Sequence, residues 1–280
     1  MACPVCISPL KFYDAPEKQE RFKSYAYGHV SPLLCRANFI PPFQLVATGA
    51  LNAAVLKSIH GEPDIDVRDN MEGECYAVDG VFQYLGNFSL LPLKVEGEYY
   101  LELTLGSTTF YSEVLCFTTS LADCLEIEYW NPECDFYIKN GRVSFDNDFH
   151  FKVYLRTQLG KPEYSYEEEA TQRYGYTFIE SQVSKKVYKF SAVLPEYLCD
   201  ALRIVRLCSN KVVRSLGDEY EALTFGMEAE WQEQGDLAAV NFEFDVDNII
   251  LNLGGPSVEV GTADFNSDYS DDFTNPAQTV

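Results

Sequence analysis

From Tyr99 to Leu105 the side chains alternate without a break. Tyr99, Leu101, Leu103 and Leu105 fall on one side of an extended backbone, with Tyr100, Glu102 and Thr104 on the other. A period of two excludes a helix, whose apolar stripe recurs every three or four residues. Gly106-Ser107 then turns the chain, and Thr108-Thr-Phe-Tyr-Ser-Glu-Val-Leu-Cys-Phe answers as a second strand. The stretch reads as a β-hairpin with a short glycine-containing loop. Phe43-Gln-Leu-Val, Ala53-Ala-Val-Leu-Lys-Ser-Ile and Gly80-Val-Phe-Gln-Tyr-Leu are further apolar runs, separated by Gly, Asn, Asp and Pro. The 19 Tyr and 19 Phe, set against 3 Met, fit pleated, half-buried surfaces. The chain is expected to be mainly β.

The expected organisation has four parts. Residues 1–42 read as an irregular, extended N-terminal arm, with Asp14 as candidate cap of a short turn at Pro16. Tyr25 to Leu34 reads as a loop or edge strand, and Pro41-Pro42 enforces an extended backbone. Residues 43–119, with several short strands at regular spacing, predict an immunoglobulin-like β-sandwich. Residues 120–255 predict a second β domain, a sandwich or barrel with one packed helix over 195–208. In that helix Leu198, Leu202 and Val205 stack along one side, with Ala201, Ile204 and Cys208 beside them. Strands are expected around Leu223-Thr-Phe and at Val240, Phe242, Phe244 and Val246, with a turn at Gly235-Asp236; 163–172 reads as an acidic insertion. Residues 256–280 form an acidic tail with no Lys or Arg, which cannot bury enough apolar surface to fold alone.

Charge narrows the function. Lys plus Arg total 21 and Asp plus Glu 43, a formal net charge of −22. Such a surface repels phosphate, which disfavours nucleic-acid binding and adsorption to anionic membranes, yet suits a wall past which DNA slides without sticking. No apolar run approaches the roughly 20 residues of a bilayer span. The opening residues carry neither a basic n-region nor a long apolar stretch, so no secretory signal is expected and synthesis in the cytoplasm is.

Candidate chemistry is sparse. Cys3-Pro-Val-Cys6 has no second CxxC, and only His29 and Cys35 as nearby further ligands, so two ordinary thiols are the preferred reading over zinc or redox chemistry. With nine Cys, an odd number, most are expected to be reduced and buried. The three histidines, His29, His60 and His150, sit in no recognisable catalytic context, and His150 lies within an alternating strand. Asp146-Asn-Asp148 and Asp245-Val-Asp247-Asn lack the Gly and distal Glu of a calcium loop. Glu167 to Glu169 are candidate glycosidase acids but read better as a solvated face. No catalytic, cofactor or metal residues are assigned. Aromatic residues remain as interface candidates: Phe12, Tyr13, Phe22 and Tyr25 in the arm, Phe43, Trp130, Trp231, and Phe265, Tyr269 and Phe273 at fourfold spacing in the tail.

Several segments carry a resemblance over nearly the whole chain. They are Ser8-Pro-Leu-Lys-Phe-Tyr-Asp, Glu17-Lys-Gln-Glu-Arg-Phe-Lys-Ser-Tyr-Ala-Tyr-Gly, Phe39-Ile-Pro-Pro-Phe-Gln, Glu98-Tyr-Tyr-Leu, Thr109-Phe-Tyr-Ser-Glu and Tyr129-Trp. Farther on come Gly160-Lys-Pro-Glu-Tyr-Ser-Tyr-Glu-Glu-Glu, Pro195-Glu-Tyr-Leu-Cys-Asp-Ala-Leu-Arg, Trp231-Gln-Glu-Gln-Gly-Asp-Leu-Ala and Ala263-Asp-Phe-Asn-Ser-Asp. The chain resembles a family of virion structural proteins of Bacteroidales phages and prophages, crAss-like or related, of tail, baseplate or connector type. The resemblance implies a tail-tube-like second domain, a homo-oligomeric ring, neighbouring tail or neck proteins, DNA passing through a lumen, and no catalytic residues. The expected function is a non-enzymatic virion protein. A carbohydrate-binding or host-adhesion module using Trp130 or Tyr164 is the alternative, and a hydrolase using Glu167–Glu169 a third reading.

Overall fold

The computed structural model describes residues 8–23, 31–47, 49–78, 81–88, 95–132, 135–138, 141–145, 149–173, 176–231 and 237–252. In chain order the strands begin with β1 (Phe12–Tyr13), β2 (Leu33–Arg36), β3 (Phe43–Ala47), β4 (Leu51–Ser58), β5 (Ile65–Asp66), β6 (Met71–Val78) and β7 (Val81–Phe88). Then come β8 (Gly97–Leu105), β9 (Thr108–Thr118), β10 (Leu125–Trp130), β11 (Asp135–Ile138), β12 (Gly141–Ser144) and β13 (Phe151–Leu155). The last are β14 (Glu163–Arg173), β15 (Tyr176–Pro195), β16 (Asn210–Ser215), β17 (Asp218–Glu221), β18 (Gly226–Trp231) and β19 (Leu237–Asn252). Two short helices join them, α1 (Glu20–Lys23) and α2 (Glu196–Leu202). The protein is mainly β. Among the described residues no helix is long and apolar enough to cross a membrane.

The largest sheet runs β17-β16-β10-β13-β2-β9-β8-β4-β5, with β1 attached to β9. The hairpin legible in the sequence lies near one end of it. Tyr99, Leu101, Leu103 and Leu105 are all buried on the inner face of β8, and Gly106, with φ +60, makes the turn into β9. Gly49 (φ +105) passes so close to that turn that a Cβ on it would lie 2.7 Å from the Cα of Gly106. Only glycine fits there.

One sheet carries strands from both sides of residue 119, where a domain boundary was expected. The link is β2, which lies parallel to β9 (Leu34 beside Cys116) and antiparallel to β13 (Tyr154 beside Leu34). It is thus an interior strand and not a loop or edge strand. The chain divides elsewhere, into a first unit of Met1–Tyr164 with Lys186–Asp247 and a second of Ser165–Lys185 with Asn248–Val280.

The first unit holds one continuous core, built from Leu10 through Phe244. Strand β3 forms a three-stranded sheet in the order β3-β7-β6, and its Phe43 and Leu45 belong to that core. Helix α2 covers the inner face of β10, where the Tyr129 hydroxyl donates to the carbonyl of Ala201 at 3.4 Å. The expected helix over 195–208 is shorter than its apolar stripe. It stops at Leu202, and a 3-10 turn over Val205–Leu207 follows. Ile204 and Val205 are β-branched and weigh against further α-helix, while the tighter turn still buries Val205 and Cys208. All six stripe residues are buried.

Three other expectations are corrected. Asp14 does not cap the turn at Pro16; its carboxylate instead pairs with Lys18 one turn on, at 2.5 Å. The segment around Leu223-Thr-Phe is not a strand, and pairing starts at Gly226. The acidic stretch from Glu163 is strand β14, held by a row of partners on β15. The expected turn at Gly235-Asp236 and the acidic tail lie outside the described residues.

Candidate functional site

Three polar or exposed features bear on function. The first is an ion cluster on the outer face of the large sheet. Strand pairing sets Glu128 beside Lys152 and Glu126 beside Arg214, so their side chains emerge on one face. Glu128 accepts hydrogen bonds from His150 Nδ1 at 3.0 Å and Arg214 Nη1 at 2.6 Å, and pairs with Lys152 Nζ at 3.1 Å. Arg214 also reaches Glu126 at 2.7 Å and Glu219 at 2.6 Å. Burial opposes ionisation of Glu128, but the hydrogen bonds from His150, Arg214 and Lys152 outweigh it and bring its pKa down to about 2. A carboxylate held so firmly ionised has no proton to give near neutrality, so it does not serve as a general acid. It fastens β13, β10 and β16 together. The Trp130 ring stacks on His150 with centroids 4.1 Å apart.

The second feature secures the N-terminal segment. Glu113, buried on β9, takes the hydroxyl of Tyr13 and the backbone N–H of Glu20, which lies 3.2 Å from each carboxylate oxygen. Gln19 donates its side-chain amide to the carbonyl of Ser112 at 2.5 Å. Burial, and next the neighbouring Glu113 carboxylate, push the Tyr13 phenol well above its ordinary pKa, so it stays a donor.

The third feature is the second unit. Its described residues lie on β14, β15 and β19, and none of those whose side chains are described is buried. Across the β14–β15 hairpin, Lys185 donates to Glu167 at 2.6 Å, Gln182 to Glu168 at 2.8 Å and Ser181 to Glu169 at 3.2 Å. Thr171 bonds Glu180 in the same hairpin. The Glu167–Glu169 acids are therefore partnered strand residues. Tyr166 is 74% exposed, Ile249 67%, Ile250 63% and Leu251 50%. A β layer with apolar side chains in water, and no buried residue among those whose side chains are described, lacks the usual source of sheet stability.

The interface candidates divide three ways. Phe12, Tyr13 and Phe43 are a correction, being buried in the chain's own core, where the Phe12 and Phe43 rings meet at 4.7 Å. They have no surface to offer a neighbour. Phe22 and Trp231 are exposed, the latter on edge strand β18, while Trp130 is half-buried against His150. Tyr25, Phe265, Tyr269 and Phe273 lie outside the described residues, as do Cys3, Cys6, His29 and the Asp146-Asn-Asp148 stretch. Cys35 is fully buried, and Asp245 and Asp247 lie within strand β19 rather than in a loop. Among the described residues no group of three or more His, Cys, Asp or Glu side chains is placed to hold a metal ion.

The sequence reading missed Tyr166 and the run Ile249-Ile250-Leu251. The available signal was Asn248 to Asn252, five consecutive residues without charge in a chain of 43 acids. No protein-family model matches the chain, and no curated protein matches it.

Proposed function

We propose that this chain is a non-enzymatic structural protein of a bacteriophage virion, a ring-forming component of the tail, baseplate or head–tail connector that assembles around the DNA path. The observation that carries the reading is the second unit, a β layer without a buried residue among those whose side chains are described. Such a layer gains its missing burial by assembly with further copies. The net charge of −22 suits a lumen that DNA traverses without a resting site. The resemblance to Bacteroidales phage virion proteins supports the same placement.

In this reading residues 43–119 act as an immunoglobulin-like sandwich that braces the assembly, and the acidic tail orders on a neighbouring subunit. Other tail or neck proteins are the remaining partners, and the protein is made in the cytoplasm of the host bacterium before joining the particle. Mass spectrometry of gradient-purified particles tests the reading. Peptides of this chain at a fixed, multiple copy number per particle are expected; their absence from particles overturns it.

A further inference from the structure

The second unit has two different edges. The sheet to which its strands belong runs β14-β15-β19-β18. Strand β18 accompanies β19 only as far as Gly226 beside Glu243, and Leu223 N–H reaches Asp245 O at 2.7 Å. From there to Asn252 no described strand pairs with that side of β19. This open edge reads Asn248-Ile-Ile-Leu-Asn252, with no charge and no proline among its five residues. Proteins ordinarily guard exposed edges with charge, proline or a bulge, and this one carries none of the first two.

The opposite edge is β14. Its acids Glu167, Glu168 and Glu169 are engaged by Lys185, Gln182 and Ser181 of its own hairpin, and Tyr166 projects into solvent. Two copies of a chain with net charge −22 repel except where charge is absent or already neutralised. The β19 end meets the first condition, and the β14 edge meets the second at Glu163 and Glu167, whose carboxylates pair with Lys189 and Lys185.

We propose that the occupant of the β19 edge is a second copy of this chain, the Asn248–Asn252 edge of one copy pairing with the β14 edge of the next, so that one sheet continues from copy to copy. This rests on the oligomeric reading above and specifies its contact. Head-to-tail pairing uses both the β14 edge and the β19 end in every copy and, on closing into a ring, leaves neither of these two open. A two-fold pairing of β19 ends would leave every β14 edge exposed.

The test places Ile250→Cys and Tyr166→Cys together in the full chain and treats it with a bifunctional thiol reagent about 10 Å long. That reach covers adjoining strands, ~4.8 Å apart, with a register offset of two residues at ~3.4 Å each. The wild-type chain controls for its native cysteines. The proposal expects a covalent ladder of trimers and larger species from the double variant, and wild-type background from each single variant. A strong covalent dimer from Ile250→Cys alone identifies a two-fold contact and overturns the proposal. A discrete oligomer in solution without a ladder overturns this contact but leaves the oligomeric reading standing; a monomer overturns both. Hydrogen exchange on the unmodified chain gives a second readout. Amides 248–252 are expected to slow at least tenfold in the assembled form, and equal exchange in both forms overturns the proposal.

Discussion

Lys185 on β15 and Glu167 on β14 face each other across a hairpin, Nζ to carboxylate oxygen 2.6 Å, in a layer where no residue with a described side chain is buried. The pair neutralises one acid of the edge without anchoring it. Glu167 is 64% exposed, and exposed pairs of this kind contribute about 0–1 kcal/mol. Lys185→Ala is therefore expected to change subunit stability by no more than about 0.5 kcal/mol. It restores an unpaired acid to the β14 edge, so assembly weakens and becomes more salt-dependent. Urea unfolding alongside sedimentation at low and high salt checks both halves.

The ion cluster at Glu128 predicts an acid limb in the stability curve. Its folded pKa is depressed from 4.5 to about 2, so its contribution is complete above about 4.5 and is lost as pH falls from there towards 2. A shift of that size corresponds to at most about 3 kcal/mol. Unfolding free energies measured from pH 7 to pH 2 should show this loss, and Glu128→Gln should flatten it while lowering stability at neutral pH.

Phe242 and Ile250 lie on the same strand and differ in kind. Phe242 is buried and stacks on Phe190 with centroids 4.6 Å apart, whereas Ile250 is exposed. Phe242→Ala is expected to cost about 3–5 kcal/mol of folding stability. Ile250→Lys is expected to stay within about 0.5 kcal/mol of wild type in the isolated subunit yet abolish assembly. Paired unfolding and light-scattering measurements on the two variants separate the roles.

Tyr13→Phe removes the hydroxyl that Glu113 accepts and leaves a buried carboxylate with one donor fewer, a change worth about 1–3 kcal/mol. The effect should be local. Limited proteolysis is expected to cut faster near Phe22 and Lys23, while hydrogen exchange in α2 stays unchanged.

Strands whose burial repeats along one side were legible in the sequence. The alternation at Tyr99–Leu105 and at Val240–Phe244 predicts the buried residues there, and the 195–208 stripe predicts which helical side chains enter the core. Pairings between distant segments were not. Nothing local in Leu33–Arg36 announces an interior strand, because its place depends on β9 and β13 lying on either side. The glutamates of β14 read as a solvated insertion because their partners, Lys185, Gln182 and Ser181, lie more than ten residues away. The burial of Phe12, Tyr13 and Phe43 has the same origin: an aromatic in or beside the arm looks available until the elements it packs against are known.

The most direct measurement is the mass of the purified full-length chain by light scattering at two concentrations well apart. The account predicts one discrete closed species, an integer multiple of 31.7 kDa, reached or approached on concentration. A species that stays at 31.7 kDa at both concentrations contradicts it.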